Sequence, residues 1–199
     1  RIILLAVPAG KIVDDVIQEA KDHLAHDDVV IDCGNSFYRD SIRRAEELKT
    51  AGIGYLDAGT SGGLEGALNG ASMIVGGEER HFTAASPILE RLCCKDGLSY
   101  AGKSGNGHYA KMIHNAIEYA IMQAYAEGIE LLASEKDIPI DEVLKAWQNG
   151  SIVSSTLLRY IARGMADKEL MGKISSRIGG GETGRWAMQE SGLRKVDFK

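Results

Sequence analysis

Three features are scarce in this sequence of 199 residues, and each scarcity excludes a class of protein. The longest apolar runs, such as Ile2–Val7, fall far short of the roughly 20 residues that span a bilayer, and no charged-then-apolar leader opens the chain. Cysteine occurs three times, without CxxC spacing or a nearby histidine cluster, so neither a disulfide framework nor a zinc site is indicated. Basic residues are fewer than acidic ones, which gives a net charge of −5. No general electrostatic attraction to nucleic acid or anionic membranes is therefore expected. We therefore predict a soluble, cytoplasmic protein without nucleic-acid or membrane partners.

What is present is typical of a globular protein, with 44% hydrophobic and 26% charged residues. The length predicts one large domain or two smaller ones. The chain starts at Arg1 and enters a strand-like run at once, without Met or a preceding turn. This start predicts a fragment whose front part lies outside the sequence.

The first half alternates short β-branched runs with helical patterns. Continuous apolar strands separated by helices predict a parallel sheet covered on both faces. In such sheets the ligand lies beyond the carboxyl ends of the strands. The predicted strands are Ile2–Val7, Val29–Asp32, Ile53–Asp57 and Ser72–Val75, and the predicted helices are Ile12–Leu24, Ser41–Thr50 and Glu78–Leu92.

From Gly107 onward the pattern is helical. His108–Ala133 contains no proline and is apolar nearly all round, which predicts one long helix buried among others. Further helices are predicted at Asp141–Asn149 and Ser154–Arg163. We place the domain boundary in the Gly/Ser/Asn stretch before Gly107, giving part of a Rossmann-like α/β domain at 1–104 and an all-helical domain at 105–199.

A polar stripe runs along the predicted long helix. Its members, Lys111, His114, Asn115 and Glu118, fall within an arc of roughly 100° because offsets of 3, 4 and 7 return to one side. Partial burial would move the pKa of the lysine down and that of the glutamate up, toward neutrality, where general acid–base chemistry is efficient. A salt-bridged surface stripe is the alternative interpretation.

Three glycine-containing segments are candidates for ligand contact: Gly59–Gly66, Asp32–Ser36 and Gly181–Trp186. Glycine lets backbone amides approach a ligand without interference from Cβ, and Arg185 could bind phosphate with two hydrogen bonds. Taken singly, Gly59–Gly66 and Gly181–Trp186 are explained equally well as a structural turn or loop, and a turn is the better explanation of Asp32–Ser36.

Together these segments resemble the 6-phosphogluconate dehydrogenase family. The resemblance covers nearly the whole chain and rests on GTSGG at 59–63, KMIHNAIEY at 111–119 and GETGRW at 181–186, in that order. It implies a Rossmann-like cofactor domain followed by a helical dimerisation domain. It also implies oxidative decarboxylation of 6-phosphogluconate to ribulose 5-phosphate, with NADP or NAD as cofactor and no metal.

The resemblance also implies residue roles. Lys111 matches the general base and Glu118 the general acid. Val7, Ala9 and Asn35 match positions that contact the dinucleotide. The substrate ligands implied are Asn35, Ser61, Gly62, Gly63, His114, Asn115 and Tyr119, with Arg185 at a phosphate-binding position.

Three features of this sequence depart from the family pattern. The GxGxxG turn and the residues that select NAD or NADP are absent, so cofactor preference cannot be inferred. Cys33 stands where the family usually has glycine, and a second phosphate-binding arginine cannot be placed near the end of the chain.

Two rival functions stay open. A 3-hydroxyisobutyrate-type β-hydroxyacid dehydrogenase shares the scaffold and a Lys/Asn pair on the long helix, but lacks the His-Asn pair followed by Ile-Glu-Tyr. A dinucleotide-binding protein without catalysis would have no physical reason to keep both Lys111 and Glu118.

Overall fold

The structure is a computed structural model that describes residues 1–175 and 181–196. Fourteen helices and strands follow one another in these residues. The strands are β1 (Ile2–Leu5), β2 (Val29–Asp32), β3 (Gly54–Ser61), β4 (Ala71–Gly77) and β5 (Cys93–Tyr100). The helices are α1 (Lys11–Lys21), α2 (Tyr38–Lys49), α3 (Gly63–Asn69), α4 (Glu79–Leu92), α5 (Asn106–Ser134), α6 (Ile140–Gln148), α7 (Thr156–Ala166), α8 (Lys168–Met171) and α9 (Thr183–Arg194).

The five strands form one sheet in the order β1-β2-β3-β4-β5. Strands β1, β2 and β3 are parallel to one another, and β5 is parallel to β4. The expected α/β class is confirmed, but the sheet is not wholly parallel because β4 runs antiparallel to β3. Ser61 at the end of β3 pairs with Ser72 near the start of β4. The short connection through α3 explains this, because a parallel return normally needs a dozen residues or more.

Both faces of the sheet are covered by apolar side chains. Because successive residues of a strand point to opposite faces, Val30 packs with α1 and α2 whereas Val29 and Ile31 pack on the α4 side. Val13, Ile31 and Leu89 have no exposed surface. The expectation of a sheet buried on both faces is therefore confirmed.

The described residues divide into two compact units. The first contains 1–115 together with 182–196, and the second contains 116–175 together with 181. The last helix, α9, belongs to the first unit although it follows the helices of the second in sequence. The predicted division of domains at 104/105 stays a prediction.

The second unit consists of the later part of α5 with α6, α7 and α8, and Leu144 and Leu158 are its best-buried side chains. Burial of α5 along its whole length was predicted, and this is wrong for the described chain. Ile117 is 51% exposed and Leu131 is 73% exposed. No described helix has both the length and the apolar character that crossing a membrane requires.

Candidate active site

The first turn of α5 is fixed to the sheet by the buried carboxylate of Asp57 on β3. Its two oxygens accept hydrogen bonds from the backbone N–H groups of Gly105, at 2.7 Å, and of His108, at 2.9 Å. Burial raises the pKa of Asp57, and these amide hydrogen bonds act in the opposite direction. A carboxylate at this position also complements the partial positive charge of a helix N-terminus. The start of the long helix therefore has a defined position on β3.

Two glycines allow α5 to lie directly on the strand. A Cβ added to Gly59 would approach the Cβ of Lys111 and the carbonyl oxygen of Gly107 to 2.6 Å, and one added to Gly107 would approach the carbonyl oxygen of Asp57 to 2.2 Å. Any side chain at either position would push the helix away. Gly59, predicted to make room for a ligand, thus makes room for the helix that carries Lys111.

Lys111 belongs to a cluster of polar side chains whose contacts meet at His114. Its side chain is buried, since the residue is only 6% exposed, and its Nζ lies 3.1 Å from Nδ1 of His114. The same Nδ1 lies 3.1 Å from Oδ1 of Asn115, and Nε2 of His114 lies 3.3 Å from Oγ of Ser61 on β3. Because Lys111 is buried, the alternative of a salt-bridged surface stripe is wrong for this residue.

The tautomer of His114 decides the direction of these hydrogen bonds. An unprotonated Nδ1 accepts a hydrogen bond from the Nζ of Lys111, whereas a protonated Nδ1 donates a hydrogen bond to Oδ1 of Asn115. In both cases the imidazole connects Lys111 to polar groups on β3 and on its own helix. Such a connection can hold the amine in place while the amine exchanges a proton.

The ends of β2 and β3 are tied together by Asn35. Its side-chain amide donates to the carbonyl oxygen of Thr60 at 3.1 Å and its side-chain oxygen accepts from the Thr60 N–H at 3.0 Å. Asn35 adopts a left-handed backbone conformation with φ of 53°, which asparagine tolerates better than most residues. Two of the predicted ligand residues, Asn35 and Ser61, therefore lie at neighbouring strand ends.

Gly62 and Gly63 connect β3 to α3. Both have positive φ, 127° and 55°, and the space around Gly63 is open, with no atom within 4 Å of an added Cβ. Both are exposed, so their backbone amides are accessible to a ligand. Their predicted contact with substrate stays a prediction.

Val7 and Ala9 lie in the loop between β1 and α1. This loop meets the loop after β2, because a Cβ added to Gly34 would lie 2.5 Å from the carbonyl oxygen of Val7. Gly10 adopts φ of 99° with open space around it. Both loops lie at the carboxyl edge of the parallel strands, where the sequence predicts the ligand.

The start of α9 lies beside the same cluster. Asn115 donates from its side-chain amide to Oγ1 of Thr183 at 3.3 Å. Thr183 was not among the predicted residues, although a hydroxyl at the beginning of a helix in GETGRW was a signal that could have identified it. The predicted phosphate ligand Arg185 is exposed and pairs with Glu182 in the same turn. Two residues along a helix correspond to roughly 200°, so Arg185 and Thr183 leave α9 on different sides.

Buried contacts with α2 hold α9 in this position. Glu190 is 4% exposed and accepts hydrogen bonds from the hydroxyl of Tyr38, at 2.7 Å, and the guanidinium of Arg39, at 2.6 Å. The ring of Trp186 packs on that of Phe37 with centroids 4.9 Å apart. These residues anchor the helix that brings Thr183 to Asn115.

His108, in the first turn of α5, is a second residue that the sequence did not identify. It is 1% exposed, and its Nδ1 lies 2.7 Å from Oγ of Ser41 on α2. Burial lowers the pKa of His108, which favours the neutral ring. Because His108 precedes Lys111 by one turn, its contact with α2 helps to fix the rotation of the helix.

Glu118 and Tyr119 follow on α5, in the second unit. Glu118 is partly buried and Tyr119 is 40% exposed. Their predicted roles as general acid and substrate ligand stay predictions. The geometry of the first unit alone supplies a buried amine beside an imidazole, and that imidazole contacts the amide of Asn115 and the hydroxyl of Ser61. Such a set is suited to binding a polyhydroxylated substrate and removing a proton from it.

Two family models match the chain in succession. The model for the NAD binding domain of 6-phosphogluconate dehydrogenase matches residues 1–101. The model for the C-terminal domain of 6-phosphogluconate dehydrogenase matches residues 107–198. The resemblance inferred from the motifs is thereby confirmed.

Individual relatives agree with the match to these family models. The NAD(+)-dependent, decarboxylating 6-phosphogluconate dehydrogenase of Haloferax volcanii is 43% identical over 192 residues, covering 95% of this chain and 63% of the relative. The solved 6-phosphogluconate dehydrogenase of Plasmodium falciparum, studied with NADP+ and with 6-phosphogluconate, is similar with a TM-score of 0.89 at 32% identity, covering 99% of this chain and 45% of the other. The chain thus spans only part of the length of these relatives.

A 3-hydroxyisobutyrate dehydrogenase from Salmonella typhimurium is similar in structure with a TM-score of 0.78, covering 98% of this chain and 67% of the other. At 20% identity, this similarity shows a shared fold. It gives the rival function no support beyond the scaffold.

Proposed function

The chain belongs to the 6-phosphogluconate dehydrogenase family, and we propose that the full-length protein oxidises and decarboxylates 6-phospho-D-gluconate to D-ribulose 5-phosphate. The observation that carries the proposal is the buried Lys111 on α5, 3.1 Å from His114 and packed against Gly59. An amine removed from bulk water and placed beside an imidazole is suited to accept a proton from a sugar hydroxyl.

The cofactor in this proposal is NAD or NADP. The family model at residues 1–101, together with the open backbone at Gly10 and the adjoining loops that contain Val7, Ala9 and Asn35, supports a dinucleotide at the carboxyl edge of the sheet. When bound, the oxidised nicotinamide accepts a hydride from the substrate. The relatives named above include one that uses NAD+ and one studied with NADP+, so the proposal covers both cofactors.

In the proposed mechanism, Lys111 takes the proton from the hydroxyl on substrate carbon 3 as that carbon is oxidised. The product of this step is a β-keto acid, which loses carbon dioxide readily and leaves an enediol. The protonated Lys111 stabilises the negative charge that develops during this loss. His114, Asn115 and Ser61 bind and orient the substrate around the amine.

The last step is protonation of carbon 1 of the enediol, which we assign to Glu118. Glu118 follows Lys111 by seven residues on α5, two helical turns away. Tyr119, Gly62 and Gly63 complete the proposed substrate contacts. No step of this sequence requires a metal ion.

The decisive experiment is a turnover assay of the full-length protein. The assay uses 6-phosphogluconate with NAD and with NADP in parallel, and 3-hydroxyisobutyrate as the competing substrate. Release of carbon dioxide and reduction of the dinucleotide in equal amounts would support the proposal. Oxidation of 3-hydroxyisobutyrate alone would replace it with the rival function.

We expect Arg185→Ala to raise the KM for 6-phosphogluconate and to change kcat little. The loss of one charge-assisted hydrogen bond to phosphate corresponds to an increase of about tenfold or more. Thr183→Val is the informative comparison, because Thr183 contacts Asn115 whereas Arg185 pairs with Glu182. An increase in KM for Thr183→Val with an unchanged KM for Arg185→Ala would transfer the phosphate role to the threonine.

We also propose that the full-length protein is cytoplasmic and forms a homodimer or a higher homo-oligomer. Apolar side chains in the second unit support association, since Ile117 is 51% exposed, Leu131 is 73% exposed and Ile152 is fully exposed, at 103%. Association of a second copy through this surface would bury them. Sedimentation of the full-length protein at micromolar concentration should give at least twice the monomer mass, and a monomer under these conditions would contradict the proposal.

A further inference from the structure

Arg44 on α2 is the most unusual buried side chain of the first unit. It is 2% exposed, and its guanidinium donates to the carbonyl oxygen of Gly10 at 3.0 Å. It also donates to both carboxylate oxygens of Asp14, at 2.7 and 3.2 Å, and lies 3.4 Å from Oδ2 of Asp32. A single side chain thus reaches the loop after β1, the first turn of α1 and the last residue of β2.

Asp32 extends this connection into the loop after β2. It is fully buried, and its Oδ1 accepts from the N–H of Gly34 at 2.9 Å. Its Oδ2 accepts from the hydroxyls of Ser36, at 2.8 Å, and Tyr55, at 2.9 Å. The turn that presents Asn35 is therefore held from inside the protein by a carboxylate that Arg44 contacts.

The charge balance of this network favours a guanidinium. Burial acts to lower the pKa of Arg44, but the hydrogen bonds to Asp14 and the charges of Asp14 and Asp32 outweigh it and hold that pKa above its usual value. Burying an ion pair is weak support for stability, because well-packed apolar side chains are often as stabilising. Apolar side chains, however, cannot form directional hydrogen bonds to both loops at once, as a guanidinium can.

Both loops carry residues assigned to the dinucleotide. Val7 and Ala9 lie in the first loop and Asn35 in the second, and the loops touch where Gly34 meets the carbonyl oxygen of Val7. We propose that Arg44 is a positioning residue that holds these two loops in the arrangement required for dinucleotide binding, without touching the dinucleotide. The inference rests on the proposed function, since it concerns the cofactor half of that site.

The test compares Arg44→Met with Arg43→Met in the full-length protein. Arg43 is the matched control, because it neighbours Arg44 and pairs with the same Asp14, at 2.9 Å, but is 44% exposed. The measurements are the dissociation constant of the reduced dinucleotide, followed by its fluorescence, and the KM values of both substrates. Because the dissociation constant of the dinucleotide is measured without turnover, it tests the role of Arg44 even if the protein does not catalyse the proposed reaction.

We expect Arg44→Met to weaken dinucleotide binding by about tenfold or more, with the KM for 6-phosphogluconate and kcat at saturating dinucleotide changed by less than about threefold. Arg44→Lys keeps the charge but not the fork of donors, and should restore binding only in part. Arg43→Met should resemble the wild type. Three results would overturn the proposal. Arg44→Met could raise the KM for 6-phosphogluconate as much as the KM for the dinucleotide, or it could leave dinucleotide binding unchanged. The third result is that Arg43→Met weakens dinucleotide binding as much as Arg44→Met does.

If Arg44→Met fails to fold, Asp14→Asn provides the second route. Asp14 is partly exposed, at 34%, so its substitution leaves no buried cavity while removing a charged partner from Arg44. We expect a smaller loss of dinucleotide binding with the same sparing of 6-phosphogluconate. Normal dinucleotide binding by Asp14→Asn and by Arg44→Lys would refute the positioning role.

Discussion

Replacing Lys111 by methionine should reduce kcat for 6-phosphogluconate by at least about a thousandfold, since the variant loses both a general base and a cation beside the developing enediolate. Folding should change little. Methionine has nearly the same length as lysine, and a side chain that is only 6% exposed gains rather than loses from being apolar. Steady-state assays together with thermal unfolding of the full-length protein measure the two effects separately.

Two further variants define what Lys111 contributes. Lys111→Arg retains a positive charge but cannot act as a base at neutral pH, so it should be as impaired as the methionine variant if proton transfer dominates. Lys145→Met is the control, because Lys145 lies on α6 with a side chain that is 74% exposed. Turnover near the wild-type rate in Lys111→Met, or an equal loss in Lys145→Met, would remove the lysine from the mechanism.

The contacts around Lys111 could be predicted in part because they lie on one helix. Lys111 and His114 are three residues apart, and a helix brings such residues to the same side. The structure places their nitrogens 3.1 Å apart, and this local geometry confirms the prediction that they belong to one cluster. The roles of the side chains stay predictions, since geometry alone does not show which group moves a proton.

Contacts between distant parts of the chain could not be predicted from the sequence. Thr183 and Asn115 are 68 positions apart, and Tyr38 and Glu190 are 152 apart. No local periodicity encodes such pairs, because they depend on where α9 packs. Arg44 was missed for a related reason: in a charged helical stretch nothing distinguishes a buried arginine from its exposed neighbours.

Buried strands could be predicted from the sequence, whereas an exposed edge strand could not. Val29–Asp32 was predicted with the observed bounds because four consecutive residues that are buried on both faces leave a continuous β-branched run. Strand β5 (Cys93–Tyr100) was missed, since it is mostly exposed and carries few apolar residues. The edge position of β5 removes the pattern by which a buried strand is recognised.

For the long helix α5, the sequence pattern predicted the bounds but not the burial. Its bounds, Asn106–Ser134, lie within two residues of the predicted ones because proline is absent throughout. Its predicted burial failed after Ala116, where Ile117, Ile121 and Met122 are exposed. An apolar pattern indicates that a surface needs covering but does not say which chain covers it. The exposure of these apolar side chains is the reason for proposing that a second copy covers this surface.

The second prediction with a large effect concerns Glu118. If its carboxylic acid only protonates carbon 1 of the enediol, Glu118→Gln should oxidise one equivalent of substrate normally and then stall. A glutamine fills a similar volume and forms hydrogen bonds, but it cannot deliver a proton. Steady-state kcat should fall by about a hundredfold or more, in line with the loss of a general acid.

Single-turnover kinetics can separate these steps. Reduced dinucleotide and carbon dioxide should form at the wild-type rate, whereas ribulose 5-phosphate should follow with a delay. A burst of reduced dinucleotide equal to the concentration of active sites is the expected signature in the first turnover. Measuring all three products distinguishes a block at protonation from a block at hydride transfer.

The control is Glu130→Gln, which changes an exposed glutamate further along the same helix and should show neither burst nor delay. A structural role for Glu118 predicts a different pattern, in which the melting temperature falls and all products appear together. Formation of reduced dinucleotide and ribulose 5-phosphate in step at the normal rate would exclude Glu118 as the acid. The assignment of Lys111 as the base would survive that result, because the proton it accepts belongs to the earlier oxidation step.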